Sequence, residues 1–338
     1  MASPAPAPVP APAPSPLPSP SPAAVSSFSL DQFPKEKFLD ILDVYQLDGF
    51  WYSGDVIPGV LAFQSGFEAR SDDVILASSM KTGTTWLKAL LACIMESKST
   101  KIIDDAGEEV IDLLQVKNPH DHVKSLEYLY NFNLHSQIKD MQSPRVFNTH
   151  LPYSALPDSI KNSDCKIVYI ARNPKDTFVS TWHFFNQILR PIIQEPYPIE
   201  KAYDSFCKGV HYFGPYLDHV LQYWTESLKM PERILFLKYE DLKKDPKGEV
   251  KKLACFLGRP FANEDEVEKV VWRSSFERLR NLEVNKNGVL PHAMIPNSSF
   301  FRVGNVGDWE NYFTEEMKQG LDEITCMKLA GTGLHFDM

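Results

Sequence analysis

The sequence contains few cysteines, no long apolar segment and no excess of basic residues. Its five cysteines are widely spaced and form no CxxC pair, so they suggest neither a disulfide framework nor a metal site, and we expect them to stay reduced. No run of about eighteen apolar residues is present, and the N-terminus lacks the basic and apolar regions of a secretory signal. These absences favour a cytoplasmic location.

The charge balance is acidic. A formal net charge of −9 argues against an extended basic surface of the kind that binds nucleic acid or anionic membranes. We therefore expect neither as a partner. An anionic ligand would have to be bound by a few cationic side chains gathered at one site.

The N-terminal segment differs in composition from the rest of the chain. Residues 1 to about 27 are almost wholly proline, alanine and serine, which offer little area to bury and favour extended backbone. We predict a disordered tail over residues 1–34 and a single domain over residues 35–338. A plastid transit peptide is the alternative, but such peptides usually carry arginine, and the first basic residue here is Lys35.

Beyond the tail, short apolar runs alternate with amphipathic segments, which is typical of parallel strands connected by helices. The pattern predicts an α/β fold with a central parallel sheet flanked by helices. The strand candidates are Val74–Ala77, Val146–Phe147, Lys166–Ala171 and Arg233–Lys238. Ligands of such sheets bind at the carboxyl ends of the strands. The residues that follow the candidates there are Lys81, His150, Arg172 and Tyr239.

The first strand candidate leads into the small-residue segment Ser78–Trp86, and a helix candidate, Leu87–Met95, follows it. Backbone N–H groups and the positive end of the dipole at a helix start favour an anion. Gly83 permits close approach of a phosphate, and Lys81 supplies a full charge. The GxxxxGK[ST] pattern of nucleoside triphosphatases is absent, because the lysine precedes the glycine.

Two other side chains follow strand candidates. His150 has an ordinary pKa near 6.5, which suits a base that takes a hydroxyl proton, although a histidine in this place is often only a structural hydrogen-bonding group. Arg172 can bind a phosphate through two N–H groups, or it can form a surface ion pair with Asp176. The residues alone leave both alternatives open.

Four segments resemble, in order, motifs of the cytosolic sulfotransferases, in particular the plant members. They are KTGTTW, THLP, RNPKDTFVS and FFRVGNVGDW, which begin at Lys81, Thr149, Arg172 and Phe300. The resemblance implies a P-loop-like sulfotransferase fold and transfer of a sulfuryl group from PAPS, without a metal, to a hydroxyl of a small organic acceptor. The acceptor classes implied are phenolic, flavonoid, steroid or hormone-like compounds.

The resemblance also assigns roles to residues. It makes His150 the general base and Lys81 the group that stabilises the leaving phosphate oxygen, and it places Trp86 on the adenine. Two family residues are replaced, a proline by Met80 and a lysine by Val303, and we expect a looser loop and weaker donor binding. The implied donor-binding residues are Lys81, Thr82, Gly83, Thr84, Thr85, Trp86, Arg172, Ser180, Tyr239, Arg302, Val303 and Gly304, with Ser274–Phe276 as further contacts.

The remaining expectations concern the acceptor, a lid and the assembly state. An aromatic acceptor pocket is expected from Phe50–Tyr52, Phe184–Phe185 and Tyr212–Phe213, with ordinary core as the alternative for any of them. The stretch Asn285–Ser299 is either a mobile lid or a plain surface loop. A monomer is expected, because the dimer motif of the animal members is poorly kept. Two other functions stay open, a magnesium-dependent phosphotransferase and a protein that binds PAP without turnover.

Overall fold

The computed structural model describes residues 29–96, 113–290 and 294–337. Contacts divide the chain into two units, Met1–Gln32 and Phe33–Met338. Of the first unit only residues 29–32 are described, and they include the 3-10 helix Leu30–Gln32. Most of the predicted tail lies outside the described residues, so the domain boundaries stay predictions.

A small antiparallel sheet at the start of the second unit was not predicted. Its strands are β1 (Lys35–Phe38), β2 (Leu42–Leu47) and β3 (Phe50–Ser53), in that order. All four residues of β3 are buried. The aromatic run in β3 is therefore explained by the core.

The central sheet has five strands, all parallel. The strand order across the sheet is β5-β6-β4-β7-β8, so the chain crosses over repeatedly, as expected of strands joined by helices. This arrangement confirms the predicted fold class. The strands are β4 (Val74–Ala77), β5 (Lys124–Ser125), β6 (Val146–Thr149), β7 (Lys166–Ala171) and β8 (Ile234–Lys238).

The predicted strands agree with the observed ones to within two residues. β4 and β7 have the predicted bounds, β6 extends to Thr149, and β8 begins at Ile234 instead of Arg233. β5 was not predicted, because a strand of two residues is too short to show a periodic pattern of apolar residues. The helix predicted over Leu87–Met95 begins earlier, at Thr84, so Thr84 and Thr85 lie in its first turn.

The helices surround the sheet, and α2 packs in the same apolar core as β4 and β7. They are α1 (Ile57–Gly66), α2 (Thr84–Met95), α3 (Pro119–His122), α4 (Leu126–Asn131), α5 (Asp158–Lys161), α6 (Pro174–Leu189), α7 (Ile199–Cys207), α8 (Tyr216–Lys229), α9 (Tyr239–Lys244), α10 (Pro246–Phe256), α11 (Glu264–Arg273), α12 (Phe276–Asn281), α13 (Glu283–Lys286) and α14 (Glu315–Leu329). A hairpin pairs β9 (Val289–Leu290) with β10 (Ile295–Pro296). Further 3-10 helices are Leu113–Gln115, His135–Ile138, Tyr153–Ala155, Asn297–Phe300 and Asp308–Asn311. None of the helices in the described ranges is long and apolar enough to cross a membrane.

The register of the sheet brings the predicted site residues to one edge. Ala77 of β4 pairs with Thr149 of β6 and with Tyr169 of β7, and Ala171 pairs with Lys238 of β8. The segments that leave these strands therefore start side by side. This explains how residues more than 150 positions apart in sequence share one cavity.

Candidate active site

One cavity of about 270 Å³ opens at this carboxyl edge of the sheet. Of the residues predicted to act there, all but Thr82 line it. Those that do are Lys81, Gly83, Thr84, Thr85, Trp86, His150, Arg172, Ser180, Tyr239, Arg302, Val303 and Gly304.

Thr82 is the exception. Its side chain is fully buried, and its hydroxyl donates to the Ser79 carbonyl 2.9 Å away. The hydroxyl is therefore engaged within the loop, and a donor contact by Thr82 stays a prediction. The neighbouring Thr84 bonds through its hydroxyl to the Ser78 hydroxyl at 2.8 Å. These two threonines hold the loop in shape.

The loop depends on a glycine at its turn. Gly83 precedes α2 with φ +113°, a backbone conformation that L side chains rarely adopt. A Cβ at this position would lie 2.8 Å from Tyr239 Cδ2 and 3.0 Å from Ile170 Cδ1. A side chain would therefore strain the turn and push against the cavity wall.

Replacing Gly83 with alanine is expected to weaken PAP binding at least about tenfold, because strain at a left-handed position costs on the order of 1–3 kcal/mol before the clash with Tyr239 is added. Calorimetric titration with PAP measures the effect. Gly258→Ala is the matched control, since Gly258 has φ +68° but no atom within 4 Å of its Cβ position. Equal affinities for the two variants would show that the close approach at Gly83 is unimportant.

Lys81 projects its amine between aromatic rings. Its Nζ lies 4.0 Å from the centre of the Phe184 ring and 5.5 Å from that of Phe300. Burial, followed by the charges of Arg172 and Arg302, lowers the pKa of Lys81 to about 7. Bound anionic ligand would reverse this effect by stabilising the ammonium form.

Ser180 also lines the cavity. The resemblance to the sulfotransferases implies that this serine restrains Lys81. No hydrogen bond joins Ser180 to Lys81 within the described ranges. Cation–π contacts with Phe184 and Phe300 hold the amine here instead.

His150 is held in one tautomer. Its Nδ1 lies 2.8 Å from the Ser78 carbonyl oxygen, which can only accept, so Nδ1 carries the proton and Nε2 has a free lone pair. The backbone is fixed as well, because His150 N donates to Glu127 Oε1 at 2.9 Å and His219 Nε2 donates to the His150 carbonyl at 3.0 Å. Burial lowers the pKa of His150 to about 3, which keeps the ring neutral. The ring is ready to accept a proton at Nε2.

Arg172 forms the ion pair with Asp176 that the sequence suggested, but not at the surface. The pair is 3.5 Å long, and both side chains are buried. Arg172 NH2 also donates to the Asn305 carbonyl at 2.7 Å, and its guanidinium lies over the Tyr239 ring. The Nε–H group is buried without a partner in the described part of the chain. An unpaired N–H at a cavity wall fits an anionic ligand that accepts from it.

Trp86 and Tyr239 form one aromatic side of the cavity. Their ring centres are 5.6 Å apart at an interplanar angle of 76°, and the Tyr239 hydroxyl donates to the Gly304 carbonyl at 2.8 Å. Trp86 Nε1 is buried with no partner among the described residues. A flat heterocycle with acceptor atoms suits this wall.

The C-terminal motif contributes a second arginine. Arg302 pairs with Asp308, and Val303 and Gly304 follow it along the cavity wall. Val303 adds no charge. The lining includes Lys243, which was not predicted and lies over the Trp86 ring at 5.9 Å.

Sequence reasoning missed other residues of the cavity, above all His120 and Gln187. His120 follows Asn118 and Pro119, whose order is typical of a helix start, and Asn118 does cap α3. That signal predicts a helix end and carries no information about which cavity the histidine faces.

The expected acceptor pocket is largely core. Phe184 lines the described cavity, whereas Phe185 and Phe213 are buried and pack with other aromatic rings. Tyr212 is partly exposed and packs edge-on against Phe185. Phe213 still lies 5.4 Å from the His150 ring, measured between ring centres, so this core packs next to that ring.

The stretch predicted as a lid is anchored at both ends. Asn285 accepts from Asn118 Nδ2 at 2.8 Å and donates to the Leu279 carbonyl, and Asn297 donates to the Val284 carbonyl. Ser299 is buried and lines the cavity. Residues 291–293 lie outside the described residues, so movement of the stretch stays a prediction.

Comparison of the sequence and the fold with known proteins identifies the family of this chain. Residues 71–333 match the sulfotransferase domain family. The chain belongs to this family. Its members use PAPS, so this enzyme is a PAPS-dependent sulfotransferase.

Relatives of this sulfotransferase cover most of its length. Cytosolic sulfotransferase 12 of Arabidopsis thaliana is 40% identical over 307 residues, which are 91% of this chain and 92% of that protein. Flavonol 3-sulfotransferase of Flaveria bidentis is 41% identical and covers 89% of this chain and 95% of that protein. The names of several relatives, as cytosolic sulfotransferases, agree with the cytoplasmic location expected from the sequence.

Solved structures share the fold. An Arabidopsis thaliana sulphotransferase aligns with a TM-score of 0.72 at 34% identity, over 91% of this chain and 94% of that one. A mouse sulfotransferase complexed with PAP aligns with a TM-score of 0.65 at 29% identity, over 85% of this chain and 94% of that one. The PAP complex supports a PAPS-type donor for the family.

Proposed function

We propose that this sulfotransferase transfers a sulfuryl group from PAPS to a hydroxyl of a small organic acceptor, with His150 as base and Lys81 as the cation at the leaving phosphate. The observation that carries the proposal is that the free Nε2 of His150 and the amine of Lys81 belong to one cavity. Bound PAPS supplies the sulfuryl group and leaves as PAP.

The proposed base has the correct protonation state. His150 Nδ1 donates to the Ser78 carbonyl, so only Nε2 can receive the acceptor proton. The other imidazole of the cavity, His120, has both nitrogens in hydrogen bonds. An anion beside His150 would raise its pKa and make the neutral ring a stronger base.

The proposed cations surround the place where negative charge develops. Lys81, Arg172, Lys243 and Arg302 all line the cavity, although the whole chain is acidic. Sulfuryl transfer, like phosphoryl transfer, has a loose transition state, so alignment and charge stabilisation account for most of the catalysis. Lys81 suits the leaving oxygen because it lies in the loop directly before the start of α2.

The acceptor is proposed by class. Phe184 and the neighbouring rings favour a flat or hydrophobic alcohol or phenol, and a flavonol sulfotransferase is among the relatives. Radiolabelled PAPS should be offered with a panel of flavonoids, steroids, phenolic acids and hydroxylated hormones, with and without a chelator. Transfer to at least one class that persists with the chelator is expected. PAP binding without transfer to any acceptor, or loss of transfer with the chelator, would contradict the proposal.

The pKa of Lys81 predicts how donor binding depends on pH. Because burial lowers this pKa to about 7, the free amine loses its proton as the pH rises from 7 to 9, while a bound anion favours the charged form. The dissociation constant of PAP is therefore expected to rise by roughly tenfold or more over this interval, relative to Lys81→Arg, whose guanidinium stays charged. Calorimetry at pH 7, 8 and 9 gives both curves. Parallel curves would show that Lys81 does not titrate in this range.

A further inference from the structure

A hydrogen-bonded chain behind the donor loop has no role in the mechanism above. Lys88 follows Thr85 by three residues in α2, so both side chains lie on one face of the helix. His120 of α3 bridges them, with Nδ1 3.1 Å from Lys88 Nζ and Nε2 2.9 Å from Thr85 Oγ1. Thr85 and His120 line the cavity, whereas Lys88 is only 1% exposed.

The bridging ring is fixed in place. His120 N donates to Asn118 Oδ1 at 2.9 Å, and Asn118 in turn donates to Asn285 Oδ1. The ring stacks on Phe300 with centres 4.2 Å apart. Burial, followed by the charge of Lys88, lowers the pKa of His120 well below its usual range, so the ring is neutral. In a neutral imidazole one nitrogen accepts and the other donates, so the role of Nδ1 fixes the role of Nε2. Because both nitrogens are engaged, the ring does not bind a ligand itself.

The direction of the chain follows from Lys88. A protonated amine has only N–H donors, so His120 Nδ1 accepts and Nε2 carries the proton that Thr85 Oγ1 accepts. The Thr85 hydroxyl proton is then free for another acceptor, and no second partner of this hydroxyl is found in residues 29–96, 113–290 and 294–337. An anion in the cavity favours this direction, because every dipole turns its positive end towards it.

The surroundings of Lys88 are compatible with a charged amine when an anion is bound. Burial lowers the pKa of Lys88 to about 7, although the nearby carboxylates of Glu127 and Asp121 oppose this shift. Glu127 is fully buried and accepts from His150 N; burial raises its pKa, while this hydrogen bond and the charge of Lys88 favour the carboxylate form. The charge of Lys81 is among those that lower the pKa of His120, and an anionic ligand in the cavity would offset it.

We propose that Lys88 and His120 are positioning residues, which orient the Thr85 hydroxyl so that it donates to the anionic sulfuryl donor. This inference rests on the proposed function, because it requires a PAPS-type ligand in the cavity. Lys88 itself does not touch the ligand. Its charge acts through two hydrogen bonds.

A double-mutant cycle tests the proposal by calorimetric titration with PAP. Lys88→Met and Thr85→Val are each expected to weaken PAP binding on the order of tenfold, which is the size of one charge-assisted hydrogen bond. The double variant is expected to bind no more weakly than Thr85→Val alone, because Lys88 acts only through that hydroxyl. Additive losses, on the order of 100-fold in the double variant, would overturn the proposal, as would unchanged binding by Lys88→Met.

Variants at His120 separate positioning from a structural role. His120→Gln keeps an N–H donor for Thr85 and should bind PAP nearly as well as the wild type, whereas His120→Leu should lose about as much as Thr85→Val. Thr85→Ser keeps the hydroxyl and should also bind well. If Lys88→Met does not fold, as judged by thermal unfolding, His120→Leu replaces it in the cycle. Equal binding by His120→Gln and His120→Leu would overturn the positioning role.

The wild-type titration distinguishes this inference from the function on which it rests. No PAP binding by the wild type would overturn the donor assignment and this inference together. Normal wild-type binding and sulfuryl transfer, with unchanged affinity in Lys88→Met, would overturn the inference alone.

Discussion

Replacing His150 with alanine is expected to lower kcat by about 10²–10⁴-fold, the range for loss of a general base. The reason is geometric: Nδ1 is held by the Ser78 carbonyl, so only Nε2 is left to accept a hydroxyl proton, and His120 cannot substitute because both of its nitrogens are engaged. Transfer of radiolabelled sulfuryl from PAPS measures the effect. Affinity for PAP should change little, because the lost group acts on the acceptor hydroxyl.

The control for this variant is His135→Ala, which removes an exposed histidine outside the cavity. Thermal unfolding with and without PAP establishes that both variants fold and bind the donor. Added imidazole is expected to restore part of the activity of His150→Ala by entering the space left by the ring. Turnover close to the wild type would remove His150 from the mechanism.

Replacing Lys81 with methionine is expected to lower kcat by about 10²–10³-fold, the loss measured when one preorganised donor to a developing oxyanion is removed. Methionine keeps the length and the contact with Phe184 but removes the charge that lies 4.0 Å from that ring. PAP affinity should fall as well, in contrast to His150→Ala. Steady-state transfer rates and calorimetry with PAP together separate the two roles.

Two comparisons make the Lys81 prediction specific. Lys208→Met removes an exposed lysine outside the cavity, so it measures the effect of the lower net charge on donor binding separately from the loss of the cavity amine. Lys81→Arg keeps the charge but changes its shape, and it should retain donor binding better than it retains turnover. A Lys81→Met enzyme that transfers sulfuryl groups at the wild-type rate would require another cation at the leaving oxygen.

Met80 and Val303, which replace a proline and a lysine of the family motifs, both line the cavity. Met80 lines the cavity just before Lys81, whose φ is +66°, so the loop adopts its turn without the restraint of a proline. Val303 lines the cavity beside Arg302 and contributes no charge there. The unpredicted Lys243 supplies a cation on the Trp86 side. The cationic character of the cavity thus survives these substitutions.

Much of the site was predictable because it is encoded in short, contiguous segments. A buried strand, a small-residue turn and a helix start specify an anion site, and the rule that parallel strands present their carboxyl ends together links Lys81, His150, Arg172 and Tyr239. Each step uses residues close in sequence, or a general property of parallel sheets. The fold class and the positions of these four residues followed from such local signals, whereas Trp86, Ser180, Arg302, Val303 and Gly304 were named only through the resemblance to the sulfotransferases.

Other features depend on contacts between residues far apart in sequence, which no local pattern contains. The Thr82 hydroxyl turns inwards to the Ser79 carbonyl because of the loop's three-dimensional path, and β5 forms only because β6 offers it an edge.

The sequence by itself determined which residues follow the carboxyl ends of the strands and that the loop before α2 favours an anion. Local backbone preference and residue type are enough for both. Only the tertiary structure decided that aromatic runs at β3 and at Phe185 belong to the core, and that His120 meets Lys88 and Thr85. The burial of a side chain and its hydrogen-bond partners depend on which segments pack against it. Segments far apart in sequence come into contact only when the whole chain has folded.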